Sequence, residues 1–453
     1  MTPKIFSAHL REMTERCDPA YFLPEYQEYE KRLKDCGLPL FRLSRWIESI
    51  DSGIGIYDLS DKAGWRYLNV NNIVSGGIDA EKCGYVSTPP NTNEVNVINC
   101  GDIVTGRVGT IGVFVKYADE TPAYISDNVF RIRLKDCDSD YILAVLNSTI
   151  VQNQIERTAK GSLQRVVNKQ TIRNLKIPLP PPEVQREIVA ELDAAYAAKR
   201  KADEKAAQLL ASIDDMVLKE LGIAKLPKPD TSLFSRIFTV PARKVANMTL
   251  APDHYFDAID FSKAKYPCER FVERIEIDPS FGLEQITKLV PMESVSAEWC
   301  VIESIEDISP DATQGYSTFR GGDVIWARIT PCMENGKSAV VEAEPSECFC
   351  GSTEFLVFRP KDDKVNPYYL QSLLHLKRFR EVAAHNFTGT SGHQRVTAVF
   401  FKTISIPIPP RSVQDRIASM ASSIRTDARK LKADATAALD AAKRAIEAKL
   451  VKV

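Results

Sequence analysis

The stretch Ile177-Pro178-Leu179-Pro180-Pro181-Pro182-Glu183-Val184-Gln185 returns as Ile406-Pro407-Ile408-Pro409-Pro410-Arg411-Ser412-Val413-Gln414, about 229 residues later. Each copy is a short β-like run that ends in prolines and opens into a long Ala/Lys/Glu-rich segment. Proline at the first helical position gives up no hydrogen bond, and it pushes the residue before it out of the α region. A strand therefore stops and a helix starts at a fixed corner, twice. The chain reads as one unit written twice.

Other repeats stand at similar spacings. Gly101-Asp102-Ile103-Val104-Thr105-Gly106-Arg107 is matched by Gly322-Asp323-Val324-Ile325-Trp326-Ala327-Arg328, each with an arginine six residues after its glycine. Asp18-Pro19-Ala20-Tyr21-Phe22 has a counterpart in Pro252-Asp253-His254-Tyr255-Phe256. Between these landmarks lie short β-like runs such as Tyr67–Val70, Val95–Ile98 and Ile111–Val115. Asn335-Gly336, between two such runs, is a hairpin signal. Apolar spacing predicts one helix over Ser139–Glu156 and a partner over Asn366–Val382. A polar loop then precedes each corner, Lys160-Gly161-Ser162-Leu163-Gln164-Arg165-Val166 and Thr390-Ser391-Gly392-His393-Gln394-Arg395-Val396, which we align on Gln-Arg-Val.

The first long helix is expected over about Pro182–Leu221 and the second over about Ser412–Val451, each roughly 60 Å long. Their apolar positions recur three and four apart, a heptad-like seam. Ile188, Leu192, Leu209 and Ile213 mark it in the first helix, and Ile417, Ile424, Leu431 and Ile446 in the second. Ala-rich stripes bury little alone, so antiparallel pairing of the two is the expected solution, with packing of each on its own globular unit as the alternative. The resulting fold class is α+β, with boundaries at 1–181, 182–225 (helix), 226–410 and 411–453 (helix).

Bulk composition fits packed domains: 44% hydrophobic, 26% charged, formal net charge −1. That charge argues against coating nucleic acid by charge alone, not against a local basic cleft. Ten cysteines and five histidines are scattered without metal-ligand spacing, so no metal or cofactor is expected. No signal-like or membrane-length apolar run occurs, and a cytoplasmic protein is expected. There is no Walker loop, GxGxxG, HExxH or Gly-x-Ser-x-Gly. Thr88-Pro89-Pro90-Asn91 lacks both the acid or amide and the aromatic of a base-methylating tetrapeptide. Catalysis by this chain is not expected.

The duplicated Ile-Pro-x-Pro-Pro corners with Gln185 and Gln414, the Gly-Asp-x-x-x-x-Arg strands, the Ala327–Lys337 run and the Gln-Arg-Val loops together resemble the specificity subunit of type I restriction–modification systems. The resemblance spans the chain. It implies two tandem target-recognition domains, each reading one half of a split, asymmetric target on double-stranded DNA, arranged as a pseudo-twofold repeat. It also implies an antiparallel coiled coil acting as a ruler between the half-sites. Two copies of a methyltransferase subunit using S-adenosylmethionine, and a motor–endonuclease subunit, would be partners. Another phage-defence methyltransferase complex, or a coiled-coil adaptor that binds no DNA, are the alternatives.

Candidate DNA contacts follow from charge and loop position. Arg107 and Arg328 sit at matched places, where arginine suits guanine or phosphate and equally a structural ion pair. Lys160, Ser162, Gln164, Arg165 and Lys169 in the first half, and Lys337, Thr388, Thr390, Ser391, His393, Gln394 and Arg395 in the second, complete the set. Residues shared by both halves suit phosphate or framework, because readers of different targets must differ. The base readers are expected in divergent stretches such as Ser75–Asn99 and Asp311–Arg320. Trp326 and Phe319 are expected in the core.

Overall fold

A computed structural model describes the chain except residues 1–22, 57, 61–63, 75, 81–82, 91–93, 95, 110, 159–165, 225, 227, 229, 231, 233–236, 241–258, 280–285, 390–393 and 452–453. Contacts divide it into two compact units, 1–201 with 434–453, and 202–433.

In the first unit, helix α1 (Pro24–Lys34) leads to β1 (Leu40–Arg42) and β2 (Ile47–Ser52). Strands β3 (Trp65–Leu68), β4 (Ile73–Val74), β5 (Gly77–Ile78), β6 (Gly84–Val86), β7 (Val97–Ile98), β8 (Ile103–Gly106), β9 (Phe114–Lys116), β10 (Ala123–Ile125) and β11 (Val129–Leu134) follow. Helices α2 (Ser139–Leu146), α3 (Thr149–Thr158) and α4 (Lys169–Arg173) precede β12 (Lys176–Pro178) and the long α5 (Pro182–Glu220). Two four-stranded sheets result, in the orders β2-β11-β8-β9 and β6-β3-β10-β7. Strand β1 pairs antiparallel with β12, so the start of the unit is bonded to its proline corner.

The second unit repeats this. Strand β13 (Cys268–Arg270), the turn of helix α6 (Phe271–Arg274), β14 (Ile275–Ile277), β15 (Lys288–Val290), β16 (Glu306–Asp307), β17 (Ser317–Arg320), β18 (Val324–Ala327), β19 (Ser338–Val340), β20 (Cys348–Gly351) and β21 (Phe355–Pro360) come first. Helices α7 (Pro367–His375) and α8 (Lys377–Ala384), the hairpin β22 (Phe387–Thr388) with β23 (Arg395–Val396), α9 (Ala398–Thr403), β24 (Ser405–Pro407) and α10 (Arg411–Leu450) complete it. Sheet orders β14-β21-β18-β19 and β16-β15-β20-β17 match the first unit strand for strand, and the second sheet of each unit has one parallel pair, β3 with β10 and β15 with β20.

The repeated motifs explain themselves as framework. Gly101 and Gly322 take φ of +94° and +87°, the left-handed turn a side chain would strain. The following aspartates are buried. Asp102 accepts Arg133 Nε at 2.8 Å and Nη2 at 2.9 Å, and Asp323 accepts Arg359 Nε at 2.7 Å and Nη2 at 2.6 Å. Each also accepts a turn N–H, from Asn99 or Arg320. The proline corners are held alike. Tyr141 on α2 and Tyr369 on α7 are buried and donate to the carbonyls of Pro178 and Pro407. Gln185 donates to Pro180 O, and Gln414 to Pro409 O, both at 2.8 Å. Phe319 and Trp326 are fully buried, as expected of core aromatics.

The two long helices run antiparallel. In the first unit Glu191 on α5 pairs with Lys449 on α10 and Lys443 lies over the Tyr196 ring, so α10 partners fall in number as α5 partners rise; in the second, Glu220 pairs with Arg416. Ile188 and Leu192 share a core with Leu439, Ile446 and Leu450, while Ile213, Val217 and Leu221 share one with Ile417 and Ala421, which Ile424 flanks. Leu209 and Leu431 depart from the expected seam: both are half-buried and belong to neither cluster, and the fully buried positions near them are Ala206 and Ala428. Small side chains let helix backbones approach closely, so a seam of alanines leaves leucines at its margin.

Each expected helix over 139–156 and 366–382 is two helices. Asn147 ends α2 by turning its amide onto Phe114, accepting its N–H and donating to its carbonyl. In the second unit Leu376 takes an extended conformation, φ −49° and ψ 129°, which a continuing helix does not adopt, and the run breaks there. Asn335-Gly336 does not form a two-residue hairpin; β18 and β19 pair antiparallel across the longer connection 328–337. Among the described residues no helix is long and apolar enough to cross a membrane, and no group of three or more His, Cys, Asp or Glu could hold a metal ion.

A charged cluster on α1 gives the first unit a pH signature. Glu30 accepts Lys176 Nζ at 2.6 Å and also pairs with Arg157. Burial opposes its ionisation, but the hydrogen bonds from Lys176 and Arg157 prevail and hold its carboxyl down at about 2. The folded value lies below the unfolded one, so its contribution is present above the ordinary carboxylate range and is lost as pH falls towards 2. Glu30→Gln is expected to flatten the acid limb of thermal stability between about pH 4.5 and 2. An unchanged limb would contradict this assignment.

Candidate nucleic-acid interface

In both units one strand delivers an arginine to the polar loop. Beyond β8, Arg107 N–H donates to Asn128 O at 2.8 Å and Arg107 O accepts Val167 N–H at 3.0 Å. Beyond β18, Arg328 N–H donates to Glu354 O at 2.9 Å and Arg328 O accepts Val396 N–H at 2.9 Å. The backbone at each arginine thus bridges a neighbouring strand and the loop ahead of the proline corner. The recurrence of this arginine has a framework reason, independent of what its side chain does.

These bonds also correct the loop register. Val108 bridges Val166 and Ile329 bridges Arg395, so Arg395 corresponds to Val166 and Val396 to Val167. The shared Gln-Arg-Val letters are one residue out of structural register. The N-caps agree, Asn168 opening α4 and Thr397 opening α9.

Onto matched backbones the two units place different chemistry. Arg107 is exposed, and no side-chain partner is recorded for it among the described residues. Arg328 is half-buried with Nε out of solvent and unbonded, and its charge lowers the carboxyl of Asp278, which burial chiefly raises. Arg395 forks onto Glu354, with Nε 2.8 Å from Oε2 and Nη2 2.6 Å from Oε1, and this bond holds its guanidinium above its ordinary value. The positions equivalent to Arg395 and Glu354 in the first unit are Val166 and Asn128, so that ion pair is exchanged as a pair.

A family model, the type I restriction modification DNA specificity domain, matches residues 58–209 and 298–437, once in each unit. The chain belongs to this family. Among its relatives, the specificity subunit of the type I restriction enzyme EcoAI from Escherichia coli is 31% identical over 176 residues, 38% of this chain and 30% of that protein. The EcoEI specificity subunit, also from Escherichia coli, is 29% identical over 166 residues, 36% and 28% of the two chains. Each match therefore spans less than a third of the relative's length. A solved S subunit of a type I restriction–modification system from M. genitalium is 11% identical over 92% of this chain and 97% of that one, with a TM-score of 0.39.

For this specificity-family chain, the remaining candidates divide clearly. Lys169 opens α4 and lies 4.0 Å from Asp51, which Arg131 also pairs at 2.7 Å. Lys337 donates to Met292 O at 2.8 Å. Thr388 is exposed and bonds Arg395 O at 3.3 Å, and Gln394 is half-buried with its carbonyl accepting Thr330 N–H. Lys160, Ser162, Gln164, Arg165, Thr390, Ser391 and His393 lie outside the described residues. Of the residues that hold the loops' supports, Asp102 and Asp323 are signalled in the sequence by the Gly-Asp repeat, whereas Arg133, Arg359 and Glu354 carry no signal there.

One thiol approaches an imidazole: Cys300 Sγ is 3.3 Å from His375 Nδ1. Burial raises the thiol, and burial together with Arg380 and Arg425 lowers the imidazole to about 3. This is a neutral, enclosed pair without the thiolate a nucleophile needs.

Proposed function

We propose that this chain is the non-catalytic DNA-recognition subunit of a type I restriction–modification complex, reading a bipartite, asymmetric target on double-stranded DNA. The observation that carries the reading is the duplicated loop support: two units with one topology and one backbone bridge at Arg107 and Arg328, presenting unlike side chains. Identical backbones position two readers alike, and unlike side chains give them different half-sites. Domain assignments of 1–181 and 226–410 as recognition domains, with 182–225 and 411–453 as spacer helices, accord with this. Methyltransferase subunits, two by the repeat, and a motor–endonuclease subunit would bring S-adenosylmethionine chemistry and cleavage in the cytoplasm. Inserting about one heptad near Ala202 is expected to lengthen the unspecified gap between half-sites; an unchanged gap sinks the ruler.

Arg107 supplies the test by mutation. As an exposed cation whose backbone bonds Val167, it is assigned to DNA, whereas Arg395 is committed to Glu354. In the assembled complex Arg107→Ala is expected to weaken binding to a target oligonucleotide by about 1–3 kcal/mol, if it contacts a base, with relaxed specificity confined to one half-site. A uniform loss with a shallower salt dependence would assign it to phosphate instead. No salt-dependent DNA affinity in the parent complex would favour the adaptor reading and defeat the proposal.

A further inference from the structure

The first unit has a cavity of about 490 Å³ between the β4–β5 turn, α2 and α5. Val189, Asp193, Tyr196 and Arg200 line it from α5. Their counterparts about 229 residues on, Ala418, Ser422, Arg425 and Arg429, are the positions of α10 that line, or flank on the same face, a smaller cavity of about 110 Å³ in the second unit. The difference lies in one turn. Ile73 pairs with Ile78 and Val295 with Ile302, so residues 74–77 correspond to the longer 296–301. The longer turn carries Trp299, whose ring lies 5.9 Å from Arg429 Cζ and 5.5 Å from Lys432 Nζ on α10. The shorter one has Gly76 and Gly77, and a Cβ at Gly76 would meet the Tyr196 ring at 3.0 Å.

We propose that this cavity is a seat for an aromatic side chain, of the indole class, presented by a loop of a partner polypeptide. In the second unit the chain's own tryptophan occupies the corresponding place. In the first, Gly76 and Gly77 line it without side chains and leave the space to the apolar walls Phe114, Leu143, Leu192 and Tyr196. The rim charges suit a neutral ring. Arg66 pairs with Asp119 and Lys116 with Asp140, and Arg200 and Asp193 add one charge of each sign, so no positive excess awaits a phosphate. Aromatic anchors in apolar pockets dominate protein–protein recognition, and Arg200 corresponds to the cation that faces Trp299.

The test uses the full chain with N-acetyl-L-tryptophanamide, followed by saturation-transfer NMR. Binding of one equivalent is expected, stronger than that of N-acetyl-L-leucinamide or AMP. Gly77→Trp places an indole at a position whose Cβ has nothing within 4 Å, and is expected to abolish the signal. Trp299→Gly, which opens the second unit's seat, is expected to add a second equivalent, with folding of both variants checked by circular dichroism. Binding indifferent to Gly77→Trp, no second equivalent in Trp299→Gly, or tighter binding of AMP, the outcome for a nucleobase pocket, would each overturn the proposal.

Discussion

Asp323→Ala is expected to destabilise the second unit by about 3–5 kcal/mol, the cost of leaving a buried charge without its partner. Asp323 is 1% exposed and holds both the fork of Arg359 and the N–H of Arg320. Its removal takes the forked partner from Arg359 on β21, which pairs with β18, the strand that precedes Arg328. Asp102→Ala should cost less, because the Arg133 side chain is 34% exposed and recovers water where that of Arg359, at 13%, does not. With two units present, unfolding need not be two-state, so hydrogen exchange in β18 and β21 is the appropriate readout. Replacing both Asp323 and Arg359 by leucine should restore most of the loss. A loss in Asp323→Ala below about 1 kcal/mol would mean the pair is solvated and idle.

Gln414→Ala is expected to cost about 3 kcal/mol or more, and Gln185→Ala about 1 kcal/mol or less, although both occupy the same place after a proline corner. Gln414 is fully buried. It donates to Lys364 O at 2.7 Å and Pro409 O at 2.8 Å, and accepts Asn366 N–H at 2.8 Å. Alanine would take the glutamine partner from the Asn366 N–H and the Pro409 carbonyl, both in buried bonds, and from the partly buried carbonyl of Lys364. Gln185 is half-buried, and its side chain donates to Pro180 O. Denaturant midpoints of the two variants measure the contrast. Equal losses would show that the corner is held by its prolines and tyrosine rather than by glutamine.

The proline corners, both long helices and the duplication were legible in the sequence because each rests on a local rule or a long repeat. Pro182 and Arg411 open the helices, and the regular spacing carries them to Glu220 and Leu450. The Gly-Asp repeat was visible, but its purpose was not: Arg133 and Arg359 stand apart from it in sequence, and nothing local marks them as its partners. The loop alignment failed by one residue because three shared letters outweighed the N-caps Asn168 and Thr397, which give the structural register. Arg395 therefore looked like a repeated functional arginine when its counterpart is Val166. The helix seam erred at Leu209 and Leu431 because heptad spacing favours large residues, whereas Ala206 and Ala428 are the buried ones. Base readers were not legible because, on the proposed function, two half-sites would require side chains that differ between the units, and repetition reveals only what they share.

Modified-base sequencing of host DNA with and without this gene tests the central claim most directly. The account predicts that one split motif loses its methylation when the gene is removed: two short, unlike specified blocks around a fixed unspecified gap. An Arg107→Ala strain should then relax one block and leave the other intact. Loss of an unsplit motif, or an unchanged methylation pattern in a host shown to carry an active partner methyltransferase, would contradict the assignment of the two units as readers of DNA.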